Sequence, residues 1–142
     1  MRWHEPASTL GRTASGLPNI RPALALDAAA DVWPIASADV VLCMNMIHIA
    51  PWSATIGLVH GAARVLSPGG LLYLYGPFRR GGQHTAPSNE AFDRDFLRAR
   101  NPEWGVRDLE AVADLASQAS FALALIEGMP ANNLSVLFRR QG

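Results

Sequence analysis

The sequence predicts an α/β protein whose central sheet is largely parallel. Two apolar runs, Val40–Met44 and Leu71–Tyr75, lack polar alternation, which is typical of strands covered on both faces. Residues 52–66 carry apolar side chains at helical spacing, and Ser67-Pro68-Gly69-Gly70 has the residue types that end a helix. Strand, helix and strand in this order form one βαβ unit, whose crossover is right-handed in nearly all proteins.

The segments before this unit are less regular. Met1–Ser15 shows no sustained period and is predicted to be an irregular lead-in to a single domain over residues 16–142. A short strand is predicted at Ile20–Leu26, where Pro22 favours an edge position or a late start. Arg79–Pro87 contains two glycines and is expected to form a flexible loop.

Two helices and two strands are predicted after that loop. Ser88 is a candidate N-cap of a helix that ends at Asn101-Pro102, and a second helix is predicted from Val106 to about Ser120. The last two strands are predicted at Phe121–Ile126 and Leu134–Phe138. Their short connection indicates antiparallel pairing.

Composition excludes several functional classes. Of the 142 residues, 49% are hydrophobic and 17% charged, which favours a packed globule, and the 12 basic and 12 acidic residues cancel. The lack of a basic surplus argues against a protein that binds nucleic acid mainly through phosphates. The single cysteine, Cys43, fits a reducing, cytoplasmic location and an inert core thiol. We expect no membrane span, because no apolar run approaches the ~20 residues that one needs.

No metal-ligand spacing, serine elbow or phosphate-binding glycine loop occurs in the sequence, so we predict no metal site. Five longer stretches, which follow one another along the chain, nevertheless resemble a single family. These are Asn45–Trp52, Tyr73–Phe78, His84–Asn89, Trp104–Asp108 and Met129–Leu134. Together with Asp39-Val40-Val41 and the Pro-Gly-Gly turn, they resemble class I S-adenosylmethionine-dependent methyltransferases, and in particular the family that includes methyltransferase-like protein 26. The resemblance covers roughly Gly16 to Arg140.

The resemblance implies a partial Rossmann-like sheet, from the third to the seventh strand of that fold, with the last strand antiparallel. It also implies S-adenosylmethionine as the cofactor. Asp27 would accept a hydrogen bond from the adenine amino group, and Ala28 would leave room for the ring. Asn45, Met46 and Ile47 would wrap the edge of the cofactor. The alternatives are a turn or helix-cap role for Asp27, a strand-end turn at Asn45 and core packing for Met46.

His48 is the candidate general base, because an ordinary imidazole pKa suits proton removal at neutral pH. The alternative is a structural histidine near the top of the sheet. A small or unknown methyl acceptor would approach the end of the following strand, and the candidate substrate-binding residues are Tyr75, Phe78, His84, Asn89 and Asn132. The alternatives are a solvated loop histidine at His84 and turn-forming roles for the asparagines.

The glycine-rich turn and the acidic strand end that normally hold the cofactor's methionine and ribose do not precede Asp27. We therefore expect an N-terminally truncated fold in which one side of the Val40–Met44 strand lacks a partner. Self-association along that edge, or coverage by Met1–Ser15, would compensate. Three hypotheses stay open at this point: a methyltransferase that needs its site completed, a non-catalytic interaction module, and an inert truncation product.

Overall fold

The fold is that of a computed structural model in which residues 16–142 are described, so the predicted lead-in Met1–Ser15 lies outside the described residues. The elements in chain order are β1 (Ala38–Met44), α1 (Trp52–Val65), β2 (Leu66–Gly76), β3 (Phe78–Arg80), β4 (Gln83–His84), α2 (Pro87–Ala91) with a π-helical continuation (Phe92–Arg98), β5 (Arg107–Asp108), α3 (Leu109–Gln118), β6 (Phe121–Met129), a 3-10 turn (Pro130–Asn132) and β7 (Asn133–Arg140).

The main sheet has four strands in the order β1-β2-β7-β6. The pair β1–β2 is parallel and joined by α1, which confirms the predicted βαβ unit. The pairs β2–β7 and β6–β7 are antiparallel, as predicted for the last two strands. The predicted α/β fold with a mixed sheet and flanking helices is therefore confirmed.

The segment Ser67–Gly70 differs from a simple helix-ending turn. β2 begins directly after α1, and its pairing with β1 moves from Ala38↔Leu66 to Val40↔Leu71. The four residues between Leu66 and Leu71 therefore bulge out of the ladder. Gly69 sits in this bulge at φ +88°, a conformation that favours glycine.

The core lies between the sheet and the helices α1 and α3. Alternate residues of β2 and β7 are fully buried, as are residues of both helices, and they form one cluster that includes Leu72, Leu74, Val136, Phe138, Val59 and Val112. Cys43 is buried beside them, and burial raises the pKa of its thiol to about 11. The thiol therefore stays protonated and unreactive at neutral pH.

The predicted strand at Ile20–Leu26 is wrong, because residues 20–26 are irregular. A strand needs a neighbouring strand to complete its backbone hydrogen bonds, and β1 does not pair with residues 20–26. The residues that follow are held instead by close packing on α1. A Cβ on Gly57 would lie 2.3 Å from the carbonyl oxygen of Ala28, and one on Gly61 would lie 2.1 Å from Cζ2 of Trp33.

The predicted loop at Arg79–Pro87 is also wrong, because it contains the antiparallel hairpin β3–β4. Gly81 and Gly82 form its two-residue turn with φ of 59° and 74°, and two consecutive residues at positive φ fit the turn type that joins such hairpins. β3 also pairs in parallel with β5. These strands form a second sheet of three strands, in the order β4-β3-β5.

Two helix boundaries differ from the prediction. The first helix starts at Pro87 after Ala86, without a side-chain cap, so Ser88 is not its N-cap. Proline suits the first helical position because its missing N–H would have no partner there. The second starts at Leu109, since Arg107 and Asp108 pair with β3.

The outer side of β1 is unpaired among the described residues. Val40, Leu42 and Met44 on this strand are 47%, 64% and 51% exposed. An apolar edge strand of this kind offers free backbone groups beside apolar side chains. Within residues 16–142, none of the helices has both the length and the apolarity that crossing a bilayer requires.

Candidate functional site

Three residues meet where the parallel strands β1 and β2 end. Asn45 follows β1 at φ 56°, and its backbone N–H donates to the carbonyl of Tyr75 at 2.9 Å. Gly76 ends β2 at φ 153°. A Cβ on it would lie 3.4 Å from Oδ1 of Asn45 and 3.4 Å from Nδ1 of His48. These polar atoms therefore cluster at the carboxyl ends of the strands, where open α/β sheets bind their ligands.

A cavity of about 560 Å³ opens at this point. Its size is within the range of small-molecule sites. It is bounded by the end of β1, the end of β2, α2 with its π-helical continuation, and the turn before β7. Its lining residues are Asn45, His48, Ile49, Pro77, Ser88, Asn89, Phe92, Ala131, Asn132 and Asn133.

His48 is the titratable side chain of this cavity. It is 5% exposed, and its Nδ1 is buried without a hydrogen-bond partner among the described residues. Burial lowers its pKa from 6.5 to about 4, with the charge of Arg107 acting in the same direction and that of Asp93 opposing it. The ring meets that of Phe92 edge-on, with centroids 6.0 Å apart. The imidazole is therefore neutral at pH 7, and its pKa is not the ordinary one expected for a general base, because burial disfavours the protonated form.

Arg107 fixes the loop that carries His48. Its guanidinium donates to the carbonyl oxygens of Ile47 at 3.1 Å and Ala50 at 2.6 Å. The backbone N–H of Gly105 donates to the carbonyl of His48 at 3.0 Å. The loop after β1 is thus tied at three carbonyls to the chain that enters β5.

Asp93 connects the segment that enters β5 to α2 and its π-helical continuation. The carboxylate is 4% exposed, and its Oδ1 accepts from the backbone N–H of Val106 at 3.0 Å and from Nε of Arg98 at 3.1 Å. Its Oδ2 lies 3.3 Å from Nε2 of His84. His84, a predicted substrate residue, is therefore held by Asp93 and lines a separate cavity of about 470 Å³.

The far wall of the main cavity consists of asparagines. Asn89 donates from Nδ2 to Oγ1 of Thr85 at 3.3 Å and to the carbonyl of Asn132 at 3.1 Å. Asn132 reaches back from its own Nδ2 to Oγ of Ser88 at 3.4 Å, and its backbone has φ 60°. The structure thus brings two predicted substrate residues, Asn89 and Asn132, together with Asn45 and His48.

Tyr75 and Phe78, two further predicted substrate residues, do not line the main cavity. The hydroxyl of Tyr75 accepts a hydrogen bond from Nδ2 of Asn133 at 3.3 Å, so Tyr75 supports the wall of the cavity. Phe78 is 1% exposed and belongs to the core. Phe78 therefore packs in the core and does not line the main cavity.

Three of the predicted cofactor residues line two further cavities. Asp27 lines one of about 450 Å³ with Trp33, and its Oδ1 accepts from the backbone N–H of Ala29 at 3.0 Å. Ala28 and Met46 line another of about 620 Å³ along β1. The structure therefore does not bring Asp27 into one cavity with Asn45. Ile47 is buried, with its carbonyl bound by Arg107.

Sequence reasoning missed the supporting roles of Arg107 and Asp93 and the presence of Phe92 in the cavity wall. One signal was available, since the stretch Trp104–Asp108 stood out by resemblance without a role. The structure gives that stretch a role, which is to hold the loop of His48 through Gly105 and Arg107.

A family described as "Protein of unknown function (DUF938)" matches residues 6–140 of this sequence. The chain belongs to this family. The description names no activity, so the family membership leaves the chemistry open.

Solved structures with the same fold include proteins described as methyltransferases. The S-adenosylmethionine-dependent methyltransferase SibL in its apo form aligns with TM-score 0.74 and 19% identity, over 94% of this chain and 40% of that one. The structure of TnmH aligns with TM-score 0.71 and 16% identity, over 96% and 40%. Human N-acetylserotonin methyltransferase in complex with S-adenosylmethionine gives TM-score 0.68 and 17% identity, over 82% and 32%. The chain therefore spans less than half the length of these proteins, and the likeness shows the fold.

Proposed function

We propose that this chain takes part in methyl transfer from S-adenosylmethionine to a small-molecule acceptor, and that its relatives include methyltransferase-like protein 26. The observation that carries the proposal is the meeting of Asn45, His48 and Gly76 at the carboxyl ends of β1 and β2, beside a cavity of small-molecule size. Two of the similar structures support the cofactor by their descriptions: one holds S-adenosylmethionine and one S-adenosylhomocysteine.

The residues present fit part of a nucleoside cofactor. Asp27 offers a carboxylate to hydrogen-bond donors in a cavity that Trp33 also lines. Near β1, Ala28 and Met46 line an apolar cavity, and the amide of Asn45 lies at the strand end. We propose that Asp27 and Ala28 contact the adenine. Asn45, Met46 and Ile47 would contact the edge of the cofactor that lies nearest the sheet.

Bound S-adenosylmethionine supplies an electrophilic methyl group. In the transfer, the acceptor atom would form a bond to the methyl carbon, and the electron pair of the broken carbon–sulfur bond would stay on sulfur. The acceptor must then lose a proton. The neutral imidazole of His48 is the group in the cavity lining that could take it, although burial lowers its pKa to about 4 and so makes it a weaker base than an ordinary histidine. Alignment of the acceptor by the asparagine wall contributes in the same step.

Calorimetric titration of the purified chain with S-adenosylmethionine tests the proposal. We expect saturable binding that Asp27→Asn weakens and that Asp31→Asn, at an exposed neighbouring position, does not. Transfer of a radiolabelled methyl group to an acceptor pool would extend the result to catalysis. A chain that is cooperatively folded but shows no binding at millimolar cofactor would overturn the proposal.

A second candidate function, a self-associating interaction module, has support from the exposed edge of β1. Two copies that pair antiparallel about Val41 would place Asp39 of one copy opposite Cys43 of the other. The carboxylates would then be well separated, while Leu42 and Val40 of the two copies would face one another. Light scattering across a concentration series measures this directly. We also propose a cytoplasmic location, since the one thiol is buried and unpaired.

A further inference from the structure

The cavity at the ends of β1 and β2 is lined without a formally charged side chain. No Asp, Glu, Lys or Arg is among the described residues that line it, and its histidine is neutral at pH 7. A charged ligand taken out of water here would have no counter-charge in the lining, and burying an unpaired charge is costly. The lining therefore selects for uncharged molecules.

Two amide donors of this lining, those of Asn89 and Asn133, are already used by the protein. Asn89 is 6% exposed, and its Nδ2 donates to Thr85 and to the carbonyl of Asn132. Nδ2 of Asn133 donates to the hydroxyl of Tyr75 and to the carbonyl of Pro130, both at 3.3 Å. A backbone carbonyl only accepts, so these contacts fix which end of each amide is the NH₂ group.

The amide oxygens are left to bind a ligand. Oδ1 of Asn89 and Oδ1 of Asn133 accept no hydrogen bond from the described residues, and neither end of the Asn45 side chain has a partner among them. Each amide oxygen has two lone pairs. The cavity therefore offers several acceptors and few donors, which matches a ligand that brings its own O–H or N–H groups.

The remaining lining is apolar. Phe92 presents its ring beside His48, and Ile49 and Pro77 complete the surface. A lining that combines apolar side chains with amide oxygens suits an apolar ring that carries polar groups.

We infer that this cavity binds an uncharged small molecule with at least two hydroxyl groups on an apolar ring, and that the amide oxygens of Asn45, Asn89 and Asn133 accept the hydroxyl hydrogens. The inference names the class of methyl acceptor and so rests on the proposed function. Binding of such a molecule is nevertheless measurable in the absence of any cofactor.

The test compares three probes of similar size by calorimetry or saturation-transfer NMR at neutral pH. Resorcinol is uncharged and has two hydroxyl donors, 1,3-dimethoxybenzene keeps the ring without the donors, and benzoate adds a negative charge. We expect resorcinol to bind about tenfold more tightly than either of the others. Equal or tighter binding of dimethoxybenzene or benzoate overturns the inference, as does the absence of resorcinol binding at millimolar concentration.

The matched variants are Asn45→Gly and Asn19→Gly. The first removes a cavity amide while keeping a residue that accepts φ 56°, and the second removes an exposed amide elsewhere. We expect Asn45→Gly to weaken resorcinol binding roughly three- to tenfold and Asn19→Gly to leave it unchanged. Equal affinities in a folded Asn45→Gly variant would remove Asn45 from the site. Resorcinol binding without S-adenosylmethionine binding would overturn the proposed function and leave the ligand class in place.

Discussion

Oδ2 of Asp93 lies 3.3 Å from Nε2 of His84, and Oδ1 of the same carboxylate accepts a hydrogen bond from the backbone N–H of Val106 at 3.0 Å. Because Arg98 binds the same carboxylate, this one buried side chain connects β4, the π-helical segment and the chain entering β5. The chain entering β5 is also the one that fixes the loop of His48. The stability of the candidate site therefore depends on a residue that does not line it.

We predict that Asp93→Ala lowers the free energy of unfolding by about 3 kcal/mol, because it leaves a buried N–H unsatisfied and removes the partner of two cationic or titratable groups. Urea denaturation followed by circular dichroism measures the change. Asp95→Ala is the matched control. It loses only an exposed pair with Arg94, and we expect little change in stability. Equal effects of the two substitutions would contradict this account.

We predict that Gly61→Ala destabilises the fold by more than about 1 kcal/mol, because the added Cβ would meet the indole of Trp33 at 2.1 Å. Gly128→Ala, where the new Cβ has nothing within 4 Å, should change stability little. The double variant Trp33→Ala/Gly61→Ala should be less destabilised than the sum of its single variants, since the first change removes the obstacle. Strict additivity in a thermal-unfolding cycle would show that the two residues do not compete for space.

We predict that His48 makes stability depend on pH below neutrality. Its folded pKa of about 4 lies below the unfolded value of 6.5, so the unfolded chain binds the proton more readily. Stability is thus unaffected by this group above pH 6.5 and falls as the pH drops from 6.5 towards 4, by about 3 kcal/mol in total.

The difference in urea midpoint between the wild-type chain and His48→Gln, followed from pH 7 to pH 4, isolates this contribution from the carboxylates. We expect the wild-type advantage to shrink as the pH falls. His60→Gln, an exposed substitution on α1, controls for the loss of a histidine elsewhere. A pH-independent difference for His48→Gln would mean that His48 titrates normally.

We predict that Leu42→Lys reduces any self-association, because a charge on the exposed apolar edge of β1 opposes strand pairing. Val32→Lys replaces another exposed apolar residue, away from β1, and should leave the assembly state unchanged. Light scattering coupled to size exclusion compares the two. If both variants associate as the wild-type chain does, another surface is responsible.

The βαβ unit could be predicted from sequence because its strands are continuous apolar runs and its helix has a clear period. Ile20–Leu26 looked similar over a short window, yet it lacks a neighbouring strand among the described residues, and pairing cannot be read from composition. The hairpin β3–β4 was missed although Gly81-Gly82 is a hairpin signal, since its strands are too short to show alternation.

The candidate site could be predicted in part. Asn45 and His48 follow an apolar strand, and residues at that edge of a parallel sheet converge by topology. Asn89 and Asn132 were predicted as substrate residues from the family resemblance. The structure brings all four residues to one cavity. Phe78 could not be distinguished from a pocket residue, because one residue of register decides whether it faces the core. The roles of Arg107 and Asp93 depend on long-range contacts that no local pattern encodes.

The bulge at Ser67–Gly70 has a practical use. It lies at the opposite end of β2 from Gly76, so roughly 20 Å of strand separates it from the cavity. Ser67 is exposed there, and the native thiol at Cys43 is buried and protonated. A Ser67→Cys variant would therefore take a maleimide fluorophore at a single place and provide an optical reporter of folding remote from ligand chemistry.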